Sequence, residues 1–297
     1  MTMPPQNPAG YGAIDPEPAR PRPRVGRAFG WAFTTTFKNA KIWVVFGLVA
    51  GALSGVLNYA SDASFDTLDI SAGLTQAELQ QLSAQAGVSA LITVVISLLV
   101  APLVVTAALR QVDEAKLGWG QALSSPNYGP TLGVQVLSGL ASAVVTLAIG
   151  VVAVLLLGLF GAGGGVVLII GAPVVLLALF FAYFAVSAFF CYWQFFAADR
   201  RAAFGQAISR GFKLGKTAFW PTVGLLALIV LYGLGVGIAA GIVAVLFAAL
   251  GAFLGSVLSS ALVTMLLLPV TVLAFAHLFR QGVGGQLPAG HSEPIAY

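Results

Sequence analysis

Two stretches of the chain, Thr131 to Ala198 and Thr217 to Phe279, run without a single Asp, Glu, Lys or Arg. Segments within them, such as VVAVLLLGLF at 151–160 and VVLLALFFAYFAV at 174–186, are apolar on every side and do not alternate. A helix at a water-facing surface needs a polar stripe, whereas one that is apolar all round is solvated by lipid or by core. In hydrocarbon every backbone N–H and C=O must be satisfied within the chain, which leaves helices or closed barrels, and the missing alternation excludes barrel strands. Each stretch is long enough for two crossings of roughly 20 residues. GAGGG at 161–165 and the region Ala249 to Gly251 are the natural breaks. With Ile42 to Ala60 and Gly87 to Leu109, the pattern predicts six transmembrane helices, at about 42–60, 87–109, 132–160, 166–196, 220–247 and 252–279. Several exceed the minimum, so tilt or extension beyond the hydrocarbon is expected.

Composition agrees with this pattern. Of 297 residues, 59% are hydrophobic and 8% charged, against about 25% charged in soluble domains. The placement of charge carries more than its total. Lys and Arg occur only up to Lys41, in 110–116, in 200–216 and at Arg280, while the connection Ser61 to Ala86 holds Asp62, Asp66, Asp69 and Glu78 without a basic residue. Basic loops stay on the cytoplasmic side, so both termini are expected inside, and an even number of crossings is required in each long run. The proline-rich segment 1–24, ending in PARPRPR, lacks the apolar core of a signal peptide and reads as a disordered tail, as does 281–297. The six-helix domain is thus expected over 25–280.

The segments before each helix pair resemble one another. VGRAF starts at Val25, WGQAL at Trp119 and FGQAI at Phe204. They suggest three copies of a unit made of a cytoplasmic interfacial helix and a helical hairpin. In the third copy, Phe204, Ile208, Phe212, Gly215 and Phe219 recur at helical spacing, with Gln206, Arg210, Lys213 and Lys216 on other faces. In the first copy, Phe29, Phe33 and Phe37 form a stripe opposite Arg27, Thr34, Lys38 and Lys41. The second is interrupted by Pro126 and Pro130. Helices with Phe on one face and cations on another lie in the membrane interface, which makes Arg27, Lys38, Lys41, Arg210, Lys213 and Lys216 candidate contacts for anionic lipid headgroups.

Small residues mark the expected seams. Gly47, Gly51 and Gly55 repeat every four residues in the first span, Gly233, Gly237 and Gly241 in the fifth, and Gly251, Gly255 and Ser259 in the sixth. Such stripes let helix backbones approach closely, either within the chain or in a homo-oligomer. Pro102 and Pro269 are expected to kink the second and sixth spans. From Phe180 to Phe196 the fourth span carries ten aromatics, read as an interfacial belt with packing or as the wall of a groove for a hydrophobic ligand.

Catalytic chemistry is sparse. The predicted spans contain no Asp, Glu, Lys or Arg, and the two histidines are His277, near the end of the last span, and His291. No HExxH, paired intramembrane carboxylates or P-loop occurs. The lone Cys191 supports neither a disulfide nor a thiolate metal cluster. No cofactor, metal or nucleic-acid partner is expected, and any reaction within the spans would rest on hydroxyls such as Ser259, Ser260 and Thr264.

With six spans, cytoplasmic termini and FGQAISRGFKLGKTAFWP opening the last pair, residues 25 to 280 resemble a bacterial family of six-helix membrane proteins. That family is related to the membrane domain fused to glycerophosphodiester phosphodiesterases. The resemblance implies the fold alone, because phosphodiester hydrolysis in those proteins belongs to a separate soluble barrel. The expectation is a non-catalytic multi-pass protein of the bacterial cytoplasmic membrane. It would be an accessory or scaffold linked to lipid or envelope processes, working with a protein partner or as a homo-oligomer. The alternative is a passive carrier or binder of a lipid or other hydrophobic molecule.

Overall fold

The structure, a computed structural model, describes residues 23–65, 76–125, 127–162, 165–199, 202–248 and 251–284. The tails expected at 1–24 and 281–297 therefore lie largely outside the described residues. Among the described residues are ten helices and no strand: α1 (Val25–Lys38), α2 (Ala40–Phe65), α3 (Gln76–Asp113), α4 (Trp119–Ala122), α5 (Tyr128–Ala162), α6 (Gly165–Phe190), α7 (Trp193–Ala198), α8 (Phe204–Thr217), α9 (Phe219–Ala248) and α10 (Ala252–Val283). Six segments are long and apolar enough to cross a membrane: Ala40–Leu57, Leu91–Asp113, Tyr128–Leu156, Pro173–Ala198, Phe219–Phe247 and Phe253–Val283. They match the six expected spans with shifted ends.

Three boundaries differ from expectation for physical reasons. The described parts of the acidic connection 61–86 are helix, because α2 continues to Phe65 and α3 begins at Gln76; the Gln-, Ala- and Leu-rich sequence from Gln76 has high helix propensity. The fourth span is not one helix to 196, since it breaks at Cys191–Tyr192 and resumes as the short α7. The last helix continues beyond 279 to Val283 and ends at Gly284, whose φ of 71° suits a left-handed C-terminal glycine. At its other end Gly251 takes φ 118°, a conformation open to glycine, where the chain turns into α10. Pro130 does not interrupt α5; it lies in the first turn, where its missing N–H has no intrahelical role.

Pro102 and Pro269 sit inside α3 and α10. A proline disturbs the helix ladder in the turn before it. The carbonyl three residues before each proline accepts a tyrosine hydroxyl: Tyr128 Oη donates to Leu99 O at 2.8 Å and Tyr232 Oη to Leu266 O at 3.2 Å.

The bundle is organised around α10, which packs most extensively on α2 and then on α9, α1 and α3. A Cβ added at Gly47, Gly51 or Gly55 would lie 2.4, 2.6 and 2.6 Å from the Cα atoms of Met265, Ala261 and Val257. Backbone thus meets backbone along this α2–α10 seam, and Ser256 Oγ donates to Gly55 O across it at 3.4 Å. The α5–α6 hairpin is peripheral and leaves Leu147, Val154 and Leu177 exposed. The densest core gathers at one end of the bundle, where Trp31, Trp43, Tyr192, Trp193, Phe195, Phe196 and Phe279 are buried.

Candidate functional site

The short helices all meet at that aromatic end. α1 and α8 each have fourteen residues, and each ends with a backbone bond closing its last turn, Asn39 N–H to Thr35 O and Ala218 N–H to Leu214 O. The alanines of VGRAF, WGQAL and FGQAI, which are Ala28, Ala122 and Ala207, are all fully buried. The α4 helix stops at Ala122, shorter than its two counterparts.

The buried faces of α1 and α8 are not the phenylalanine stripes. In α8 the inward residues are Ala207, Gly211, Leu214 and Gly215. A Cβ at Gly211 would lie 2.6 Å from Trp193 Cδ1, and one at Gly215 would lie 2.8 Å from Ala188 O. Phe204 and Phe212 are exposed, as are Phe33 and Phe37 of α1. Phe29 alone of the α1 stripe is part-buried, its ring edge-on to Tyr232. Small residues allow the close approach, and a phenylalanine facing lipid loses nothing by remaining outside. Of the six candidate headgroup contacts, Lys38, Lys41, Lys213 and Lys216 are exposed, whereas Arg27 and Arg210 are half-buried.

The remaining glycines divide. Gly255 is buried. A Cβ at Gly233 would meet only the Leu267 side chain, at 3.5 Å, while Gly237, Gly241 and Gly251 have nothing within 4 Å. Gly237 and Gly241 border an open crevice of about 380 Å³ between α2, α9 and α10, together with Ser54, Ser259, Ser260 and Thr264.

A larger cavity lies on the other flank of the α2–α10 seam. Its volume is about 620 Å³, within the usual range for small-molecule sites. Phe46, Val49, Ala50 and Leu53 of α2, Val100, Ala101 and Val104 of α3, and Leu268, Val272 and Phe275 of α10 form its walls. Leu123, Cys191, Gln194 and Phe195 border it near the aromatic end. Thr271 also lines it, and its buried Oγ1 has no hydrogen-bond partner among the described residues. The aromatics of α6 do not form this cavity: Phe180, Phe181 and Tyr183 point outward. Of the ten between 180 and 196, Phe195 reaches it, from α7.

A charged layer lies beyond the cavity along the same elements. Arg280 of α10, 3% exposed, donates through Nη1 to Asp199 at 2.7 Å and through Nη2 to Asp113 at 2.5 Å. It thereby joins the ends of α3, α7 and α10. Arg110 of α3 donates to Ser124 Oγ at 2.5 Å and to Gln121 O, tying in α4. Thr106, Leu109, Arg110, Asp113, Asp199 and Arg280 surround a pocket of about 180 Å³. Buried and part-buried polar links brace the layer: Trp43 Nε1 to Gln111 Oε1 at 3.2 Å, Asn127 Nδ2 to Ala197 O at 2.7 Å, and Gln281 Nε2 with His277 Nδ1 at 2.8 Å.

Sequence reading missed both the cavity and this cluster. The signal for the cluster is Arg280, which ends a charge-free run, set against Asp113 and Asp199 at the ends of two other spans. No family model, curated protein or solved structure matches the chain.

Proposed function

We propose that this chain is a non-catalytic multi-pass membrane protein that holds a lipid or similar hydrophobic molecule in the cavity between α2, α3 and α10. The observation that carries the reading is the cavity itself: about 620 Å³, walled mainly by aliphatic and aromatic side chains within the span region. An apolar chain placed there exchanges lipid contacts for close packing against fixed side chains, which gives a binder rather than a bare scaffold. The proposal includes a bacterial cytoplasmic membrane with both termini inside, as the basic segments require. It also includes three related units, to which the buried alanines and the equal lengths of α1 and α8 lend support. The exposed lysines of α1 and α8 then face anionic headgroups around the aromatic end. The resemblance to six-helix bacterial membrane proteins belongs to the same proposal.

Native mass spectrometry of the full chain, released from mild detergent, tests the reading. Retained lipid is expected on the wild-type chain. Filling the cavity with Ala50→Phe and Ala101→Phe together should reduce it at least several-fold while the thermal midpoint stays within a few degrees. Absence of retained lipid on the wild type at the gentlest activation would overturn the proposal.

A further inference from the structure

The cavity touches α2 from Phe46 to Leu57, α3 from Thr93 to Val105 and α10 from Thr264 to Phe275. At 1.5 Å per residue these stretches are each about 16 to 18 Å long. That is roughly half of a hydrocarbon core about 30 Å thick, the depth of one leaflet and so of one acyl chain. One side of the chamber is open to the bilayer: Val49 and Leu53 of α2 and Thr93 and Ser97 of α3 line it and are also exposed. A lipid can therefore enter sideways and leave its second chain in the membrane.

The polar groups of the wall select the part of the lipid that is recognised. Thr36, Thr106, Thr131 and Thr222 donate their hydroxyls to the carbonyl four residues earlier. Thr271 does not: its Oγ1 is enclosed and has no hydrogen-bond partner among the described residues. A threonine in a helix has two accessible χ1 rotamers, and exchange between them can re-aim this oxygen at an occupant of the cavity. Gln194 of α7, part-buried, brings a carboxamide to the same chamber. Both sit near the aromatic end, Gln194 beside Phe195 and Thr271 one turn before Phe275. Towards the other end, Ser54 is already bonded to Ala50 O.

An amide N–H and a hydroxyl are donors, and each needs an oxygen acceptor. They stand on the two long stretches that hold no Asp, Glu, Lys or Arg, Thr131 to Ala198 and Thr217 to Phe279, where an uncharged acceptor is the one favoured. A glycerolipid carries such acceptors at the head of its chains, in the ester carbonyls.

We propose that the site recognises the ester linkage of a glycerolipid, with one acyl chain in the α2–α3–α10 cavity and its carbonyls on Gln194 and Thr271. The inference rests on the reading of the cavity as a lipid site and adds which lipids it takes and by which atoms.

The test is competitive native mass spectrometry of the full chain, using pairs of lipids matched in headgroup and chain length. One member of each pair is a diester and the other a diether, which keeps the linking oxygens and lacks the carbonyls. One pair carries the phosphatidylglycerol headgroup and the other the phosphatidylethanolamine headgroup. In both, the diester is expected to be retained about tenfold over the diether, the size of one or two neutral hydrogen bonds. Gln194→Leu and Thr271→Val should each lower that ratio several-fold, and Thr271→Ser, which keeps the hydroxyl, should preserve it. The wild-type pairs decide by themselves if a variant fails to fold. Equal retention of diester and diether within either pair would overturn the ester assignment and leave the cavity reading standing. No retention of any lipid would overturn both.

Discussion

At the scale of single residues, glycines that look alike in the sequence do different work. Gly51 faces α10 with Ala261 Cα 2.6 Å from the position of a Cβ, whereas Gly241 faces open space. A methyl group at Gly51 must push two backbones apart, the overpacking that costs about 1–3 kcal/mol. At Gly241 it meets no clash, and alanine is favoured over glycine inside a helix by roughly 0.5–1 kcal/mol. Gly51→Ala is therefore expected to lower the thermal midpoint in detergent, and Gly241→Ala to leave it unchanged or raise it. A fall of equal size in both, read by scanning fluorimetry, would contradict the packing described. The four-residue spacing was visible in the sequence for both helices. Which stripe carried a partner was not, because spacing defines a face without saying what covers it.

At the scale of elements, α1 and α8 show how lipid changes the reading of amphipathicity. In water the phenylalanines of α8 would mark the buried side. Here Ala207, Gly211, Leu214 and Gly215 pack inward, while Phe212 and Lys213 are exposed together. The existence of both helices and nearly their full extents follow from the residue pattern. Their rotation about the axis does not, since apolar bulk has two satisfactory solvents in a membrane. Exposed lysines next to exposed rings suit a headgroup layer. Changing Arg210, Lys213 and Lys216 to Gln together is expected to weaken the stabilisation conferred by anionic lipid. The effect should approach about 1 kcal/mol for each exposed charge at low salt. Comparing thermal midpoints in nanodiscs with and without phosphatidylglycerol measures it, and an unchanged difference would exclude lipid contact through these residues.

At the scale of the molecule, six spans and their breaks at glycine-rich points were legible because hydrocarbon forbids charge and unpaired backbone over long runs. The cavity was not, since its walls come from positions as distant in sequence as Ala50, Ala101, Phe195 and Thr271. The ion cluster is similarly dispersed. Arg280 joins the ends of α3, α7 and α10, and removing its charge takes a guanidinium partner from each of two carboxylates, Asp113 and Asp199. Asp199, 11% exposed, carries most of that penalty, while solvent screens Asp113. Arg280→Gln is expected to cost about 3 kcal/mol of stability, the lower end for a broken buried pair. Denaturation of the purified protein checks this; a loss below about 1 kcal/mol would mean that the helix ends are held without the ion pairs.

The α2–α10 seam also sets an order of events during synthesis. Its two sides lie far apart in the chain, with Ser256 and Gly55 separated by 201 residues. At ordinary translation rates of about 5–20 residues per second, roughly 10 to 40 s separate their emergence from the ribosome. Throughout that interval α2 sits in the bilayer with its glycine groove unfilled, open to lipid or to an insertion factor. Closure of the bundle is then the last step of biogenesis, and a ribosome that stalls before α10 releases threaded helices without a latch.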